Sequence, residues 1–205
     1  MDGTVKLIED IIRGWERGRI FFPQDFTALF DHDSVRQALC SLTDDGTIVR
    51  LARGVYCYPR IEWEYAMKVI LPSEETIAEA VARKENVRII PYGDEAARRL
   101  GLSPLRVSTL KYLTDGSPRV INLSQGRRIH FNHTSEVKMF AFRNTTMQMA
   151  ASAIRALWKD YLENDEEKKR ILRKVLHSVP EKDFLNDITL PPAWVGEIMM
   201  ELWNG

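Results

Sequence analysis

Residues 31–58, DHDSVRQALCSLTDDGTIVRLARGVYCY, decide how this chain folds. Asp33 or Ser34 is placed to cap a helix. Val35, Ala38, Leu39 and Leu42 then recur at i, i+3, i+4 and i+7, the spacing of a buried helical stripe. At about 100° per residue the opposite face carries Arg36, Gln37, Cys40, Ser41 and Asp44. Asp45-Gly46 predicts a turn, and Thr47–Arg50 and Gly54–Tyr58 predict two short strands about the tip Leu51-Ala52-Arg53.

Working outward, Val5, Ile8, Ile11, Ile12 and Trp15 predict a first amphipathic helix, and Arg19–Phe22 a short apolar strand. Pro23–Phe30 predicts a second helix with proline at its start. Helix, strand, helix, helix, hairpin is the order of a winged helix-turn-helix, with the hairpin as its wing. From Gly46 to Ile61 the only charged residues are Arg50, Arg53 and Arg60, so the hairpin carries local positive potential suited to phosphate. The expected DNA contacts are Ser34, Arg36, Gln37 and Ser41 on the helix and Arg50, Arg53 and Arg60 in the hairpin. Arg36 and Gln37 have the forked groups that read base edges.

Composition narrows the classes. The 205 residues are 44% hydrophobic and carry 29 basic and 29 acidic side chains, which argues against a general nucleic-acid coat protein. The balance is uneven along the chain: the net charge is −3 over residues 62–83 and +6 over 84–143. No apolar run approaches the roughly 18 residues of a membrane span. The N-terminus is amphipathic and charged where a signal peptide would be continuously apolar, so a cytoplasmic protein is expected. Cys40 and Cys57 lack any CxxC or Cys/His partner spacing, so neither a disulfide framework nor a zinc site is indicated, and no cofactor is expected.

Enzyme signatures are missing too. The chain has no GxSxG, GxxxxGK[ST], HExxH or GxGxxG, and a non-enzymatic protein is expected. His130 and His133 form an HxxH, but three residues apart on a strand their rings diverge, a poor geometry for one metal. The run KDYLENDEEKKRILRK at 159–174 alternates acid and base within a turn or two, as a solvated helix face does.

Beyond the hairpin, the expected organisation is one effector domain over residues 62–205, after a DNA-binding domain over 1–61. Residues 62–84 would be a linker and a helix capped by Ser73. Residues 87–142 would be a small antiparallel sheet with one packed helix: strands at Val87–Pro91, Ser108–Leu113, Arg119–Leu123 and Arg127–Phe131, and a helix at Asp94–Leu100 stopped by Gly101. Residues 143–205 would be helical, with stripes at Met147–Tyr161, Ile171–Leu176 and Trp194–Leu202. The whole is α+β.

Four strings then carry a family resemblance: FFPQDF at 21–26, VRQALCSLTDDGTIVRLARGVYCYPR at 35–60, VRIIPYGDEAARRLGLS at 87–103 and LKYLTDGSPRVINLSQGRRIHF at 110–131. Over about residues 10–140 the chain resembles the AbiEi-type antitoxins of bacterial abortive-infection, type IV toxin-antitoxin systems. The resemblance implies a winged-helix repressor of its own operon, binding double-stranded operator DNA as a monomer or dimer. It also implies a domain that counteracts a nucleotidyltransferase-like toxin without needing to bind it stably. The basic sheet, with Arg98, Arg99, Arg119, Arg127 and Arg128, is where the antitoxin surface is expected. The alternative is a winged-helix interaction module that does not touch DNA and holds a protein partner through its C-terminal helices, where Trp194, two methionines and Trp203 gather.

Overall fold

Ile8 and Ile12, one helical turn apart, are fully buried on α1 (Gly3–Arg13), the first element of the computed structural model, which describes residues 3–62, 68–103 and 108–205. Eight helices and three small sheets make the described chain α+β. It divides into two compact units, Met1–Val81 with Ile121–Arg127 and Ala82–Val120 with Arg128–Gly205. The boundary expected at residue 61 falls inside the first.

In the first unit α1 is followed by β1 (Ile20–Phe21), α2 (His32–Asp44), β2 (Val49–Ala52) and β3 (Val55–Cys57), with the strands in the order β1-β3-β2. Both pairings are antiparallel, Ile20 lying opposite Cys57 and Arg50 opposite Tyr56. The helix expected over Pro23–Phe30 is instead a 3-10 turn at Pro23–Phe26. The Asp25 carboxylate accepts from the Phe22 N–H at 2.9 Å, and the N–H groups of Leu29 and Phe30 both converge on Phe26 O, closing turns where a helix would propagate.

The cap of α2 also differs from expectation. Asp31 Oδ1 accepts from the N–H groups of Asp33 and Ser34 at 3.1 and 2.9 Å, so one carboxylate satisfies two of the helix's orphan donors. The inward stripe is as expected: Val35, Ala38, Leu39 and Leu42 are all fully buried. They pack with Ile8, Ile12, Phe21, Phe26 and Ile48, and burying a side chain of this size contributes about 1.5–3 kcal/mol. Phe21 centres the aromatic part of this core, edge-on to Trp15 at 5.2 Å and stacked on Tyr56 at 5.8 Å. The hairpin tip is Arg53-Gly54, not Leu51–Arg53, because Leu51 and Ala52 are buried in β2 and Gly54 takes the positive φ, 73°, that the turn needs.

The segment read as a linker after Arg60 is a second hairpin. β4 (Arg60–Glu62) and β5 (Lys68–Ile70) pair antiparallel, with Glu62 opposite Lys68 as a complementary cross-strand pair. The middle of that expected linker, residues 63–67, lies outside the described residues. α3 (Glu74–Glu85) begins as the sequence predicts, with Ser73 Oγ accepting from the Thr76 N–H at 3.2 Å.

β6 (Ile89–Pro91), α4 (Asp94–Arg99), β7 (Thr109–Thr114), β8 (Arg119–Asn122) and β9 (Arg128–His133) follow, the strands in the order β6-β7-β9-β8. β6 and β7 are antiparallel, but β7 and β9 run parallel, Thr109 opposite Arg128 and Thr114 opposite His133. The all-antiparallel sheet expected here therefore has one parallel pair. β8 buries one residue, Ile121, and exposes Val120, so it suits the edge. β9 buries Ile129 and Phe131 and takes the inner place. The turn between them closes with the Leu123 N–H donating to Arg127 O at 2.9 Å.

The C-terminal part is helical, as predicted: α5 (Thr145–Leu157), a π-helical turn Trp158–Leu162, α6 (Glu166–His177), α7 (Glu181–Asp187) and α8 (Ala193–Asn204). Asn144 caps α5 through its Oδ1, and the buried Asp187 at the end of α7 accepts from the N–H groups of Arg143 and Asn144, tying α7 to the start of α5. α7 itself was not anticipated. Met147, Ala150, Ile154, Leu172, Leu176, Phe184, Val195 and Met199 form the core between these helices. Among the described residues no helix is long and apolar enough to cross a membrane.

Candidate nucleic-acid interface

With the inward stripe of α2 buried, its other face is presented by geometry alone. Arg36, Gln37, Cys40, Ser41 and Asp44 are exposed there, and Ser34 is half-buried in the first turn. Because Asp31 does the capping, the Asp33 side chain is released and is 85% exposed, its Oδ1 3.5 Å from Arg36 Nη2. Asp33 joins this face unforeseen, since the sequence offered it as the cap. Cys40 Sγ lies 3.8 Å from Asp44 Oδ2. Cys57 is buried in β3, where burial pushes its thiol up to about 11, well away from thiolate chemistry at neutral pH.

On the β2–β3 hairpin, Arg50 and Arg53 are both exposed, and neither side chain has an ion-pair or hydrogen-bond partner among the described residues. Arg60 is differently placed. Its Nε donates to Arg17 O at 3.1 Å, and its stem crosses Gly18, where a Cβ would come within 2.7 Å of Nε. Gly18 (φ 95°) is favoured by its backbone, and a Cβ there would push the Arg60 side chain aside. Arg17 Nη1 donates back to Pro59 O at 3.0 Å and its guanidinium lies 4.5 Å above the Tyr58 ring. Arg17 and Arg60 thus fasten the chain entering β1 to the chain leaving β3. Arg17 was not singled out in the sequence, since an arginine that binds a carbonyl 42 residues away leaves no local pattern. All seven expected contact residues, Ser34, Arg36, Gln37, Ser41, Arg50, Arg53 and Arg60, fall in one compact unit.

Five arginines of the strongly positive segment are held on carboxylates. Glu95, 1% exposed, takes Arg98 at 2.9 Å and Arg99 at 2.6 Å, and Arg99 also donates to Tyr112 Oη at 3.1 Å. Arg88 meets Asp115 at 2.8 Å, Arg119 pairs with Glu85, and Arg127 pairs with Glu74. Arg128 is exposed at the start of β9, its backbone N–H donating to Ser108 O. The five residues expected to form one basic sheet surface are thus spread over α4, β8, the following turn and β9.

His133 Nδ1 lies 2.9 Å from Gly116 O, whereas His130 sits opposite Lys111 in the sheet with Nε2 buried and unpartnered among the described residues. No group of three or more His, Cys, Asp or Glu that could hold a metal occurs among the described residues. In the second unit a cavity of about 710 Å³ opens between residues 135–138 and 188–193. On α8, Trp194 and Met200 are exposed, while Trp203 turns inward and stacks on Phe184 at 4.1 Å.

These features define an α+β protein whose N-terminal unit joins a polar-faced helix to a small sheet with an arginine-tipped hairpin. The chain belongs to a family of unknown function, DUF6088, whose model matches residues 7–184. Comparison with curated proteins finds no significant match. Among solved structures the chain is similar to the crystal structure of the RV2827C protein from Mycobacterium tuberculosis, at 16% identity over 96% of this chain and 80% of that one, with a TM-score of 0.42.

Proposed function

We propose that the chain is a double-stranded-DNA-binding regulator in which residues 1–61 act as a winged helix, α2 as the reading helix and β2–β3 as the wing. The observation that carries this reading is the pair Arg50 and Arg53, exposed and uncompensated on the hairpin that follows a helix with a polar outward face. Exposed guanidinium groups neutralise phosphates and release counterions, which supplies affinity without sequence preference. Polar side chains on a helix that enters the major groove supply the preference. The strand order β1-β3-β2, with β3 central and the hairpin at one side, supports the same assignment.

The resemblance of residues 10–140 to AbiEi-type antitoxins supports the wider role. In it, the protein represses its own operon, and residues 62–205 counteract a nucleotidyltransferase-like toxin. The DNA arm is tested by fluorescence anisotropy with the gene's own upstream duplex and a scrambled duplex at two salt concentrations. Selective, salt-sensitive binding is expected, and equal affinity for both duplexes would remove the operator reading. The antitoxin arm is tested by co-expression with nucleotidyltransferase-like toxins. Restored growth is expected, and unrelieved toxicity would remove it.

A further inference from the structure

The outward stripe of α2 is unusual for a helix meant to approach a polyanion. Asp33, Arg36, Gln37, Cys40 and Asp44 follow one another at i, i+3, i+4, i+7 and i+11, opposite the buried Val35, Ala38, Leu39 and Leu42. One cation is therefore flanked by a carboxylate at each end. Asp33 is not the cap: Asp31 caps the helix, and among the described residues the one polar contact of the Asp33 side chain is with Arg36 at 3.5 Å. An exposed carboxylate in the first turn is repelled by every phosphate it meets, whatever the sequence. It gains only where a base-edge donor faces it, and in the major groove the cytosine N4 amino group is such a donor. Arg36, one helical turn further on, has the matching fork for guanine O6 and N7.

We propose that Asp33 and Arg36 together read a G·C base pair, Arg36 on the guanine and Asp33 on the cytosine of that or the neighbouring pair, with Asp33 also raising the cost of binding unmatched DNA. This assignment rests on the winged-helix reading above. It makes the two residues act with opposite signs on non-specific DNA. Loss of Arg36 removes an attraction, so affinity for all duplexes falls and the preference for G·C falls with it. Loss of the Asp33 charge removes a repulsion, so affinity for unmatched duplexes rises while the preference falls.

The experiment is selection from a randomised duplex pool with wild-type protein, Asp33→Asn and Arg36→Ala in parallel, followed by anisotropy on the selected duplex and on its G·C-to-A·T derivative. Asp33→Asn keeps the size of an exposed residue and leaves the Asp31 cap intact, and circular dichroism verifies its helix content. Wild type is expected to select a fixed G·C pair and to prefer it by on the order of tenfold. Asp33→Asn is expected to lose part of that preference, Arg36 keeping the rest, while binding the derivative more tightly than wild type does. An unchanged preference in Asp33→Asn, or weaker binding to both duplexes, would overturn the proposal while leaving DNA binding intact. Failure of wild type to retain any duplex would overturn the winged-helix reading itself.

Discussion

The hairpin Val49–Cys57 and the segment 84–143 both carry arginines, and they hold their charge in opposite ways. The segment carries a formal +6, yet Arg88, Arg98, Arg99, Arg119 and Arg127 each meet a carboxylate, Glu95 taking two of them from a site 1% exposed. The hairpin carries two arginines, Arg50 and Arg53, and both point their charge at solvent without a partner among the described residues. Charge counted along a chain and charge available to a ligand are different quantities. A guanidinium already seated on a carboxylate must give up that contact, or share it, before it can neutralise a phosphate.

The contrast breaks most visibly at Glu95. Glu95→Ala leaves two guanidinium groups, each about 30% exposed, without their shared counter-ion, and a loss of about 3 kcal/mol is expected in urea denaturation. A change below about 0.5 kcal/mol would mean that the pairs with Glu95 contribute little to holding these arginines. Next comes Arg119→Ala, whose pair with Glu85 is partly exposed on both sides. It is expected to cost less than about 1 kcal/mol, read from the same denaturation curves.

A smaller, pH-dependent effect belongs to α2. The Ser34 backbone N–H holds the Asp31 carboxyl below its usual range, so its stabilising cap is present above the unfolded value near about pH 4 and fades as pH falls through the depressed folded value. Asp31→Asn keeps a capping oxygen without a charge. Its thermal midpoint is expected to fall less steeply than that of wild type below about pH 4, and parallel curves would remove the Asp31 cap from the account. Smallest of all, alkylation at neutral pH is expected to label exposed Cys40 and spare buried Cys57, checked by peptide mass spectrometry.

Much of this was legible in sequence wherever one residue pattern decides one local outcome. Val35, Ala38, Leu39 and Leu42 fix which face of α2 is buried, Ser73 fixes the start of α3, and Met147–Ile154 fixes the inward side of α5. Legibility failed where several residues were eligible for one role or where the outcome needed a distant partner. Asp31, Asp33 and Ser34 can all cap a helix, and only the backbone shows that Asp31 does, which is what frees Asp33. The β4–β5 hairpin has three residues per strand, too few for an alternating pattern to stand out, and it exists through pairing of Ile61 with Val69. β9 displaces β8 from the side of β7 because of what each buries, which successive strand signals do not encode. Within the candidate site, Arg50 and Arg53 were found from their isolation among uncharged neighbours, whereas the fastening role of Arg60 needed Arg17 and Gly18 beside it.

The most direct measurement is the salt dependence of duplex binding for wild type, the double variant Arg50→Ala/Arg53→Ala and the double variant Arg119→Ala/Arg127→Ala. The account predicts that the hairpin variant lowers the slope of log affinity against log salt by about two and weakens binding to every duplex, while the other variant follows wild type. A slope unchanged by the hairpin substitutions, or lowered equally by Arg119→Ala/Arg127→Ala, would contradict it.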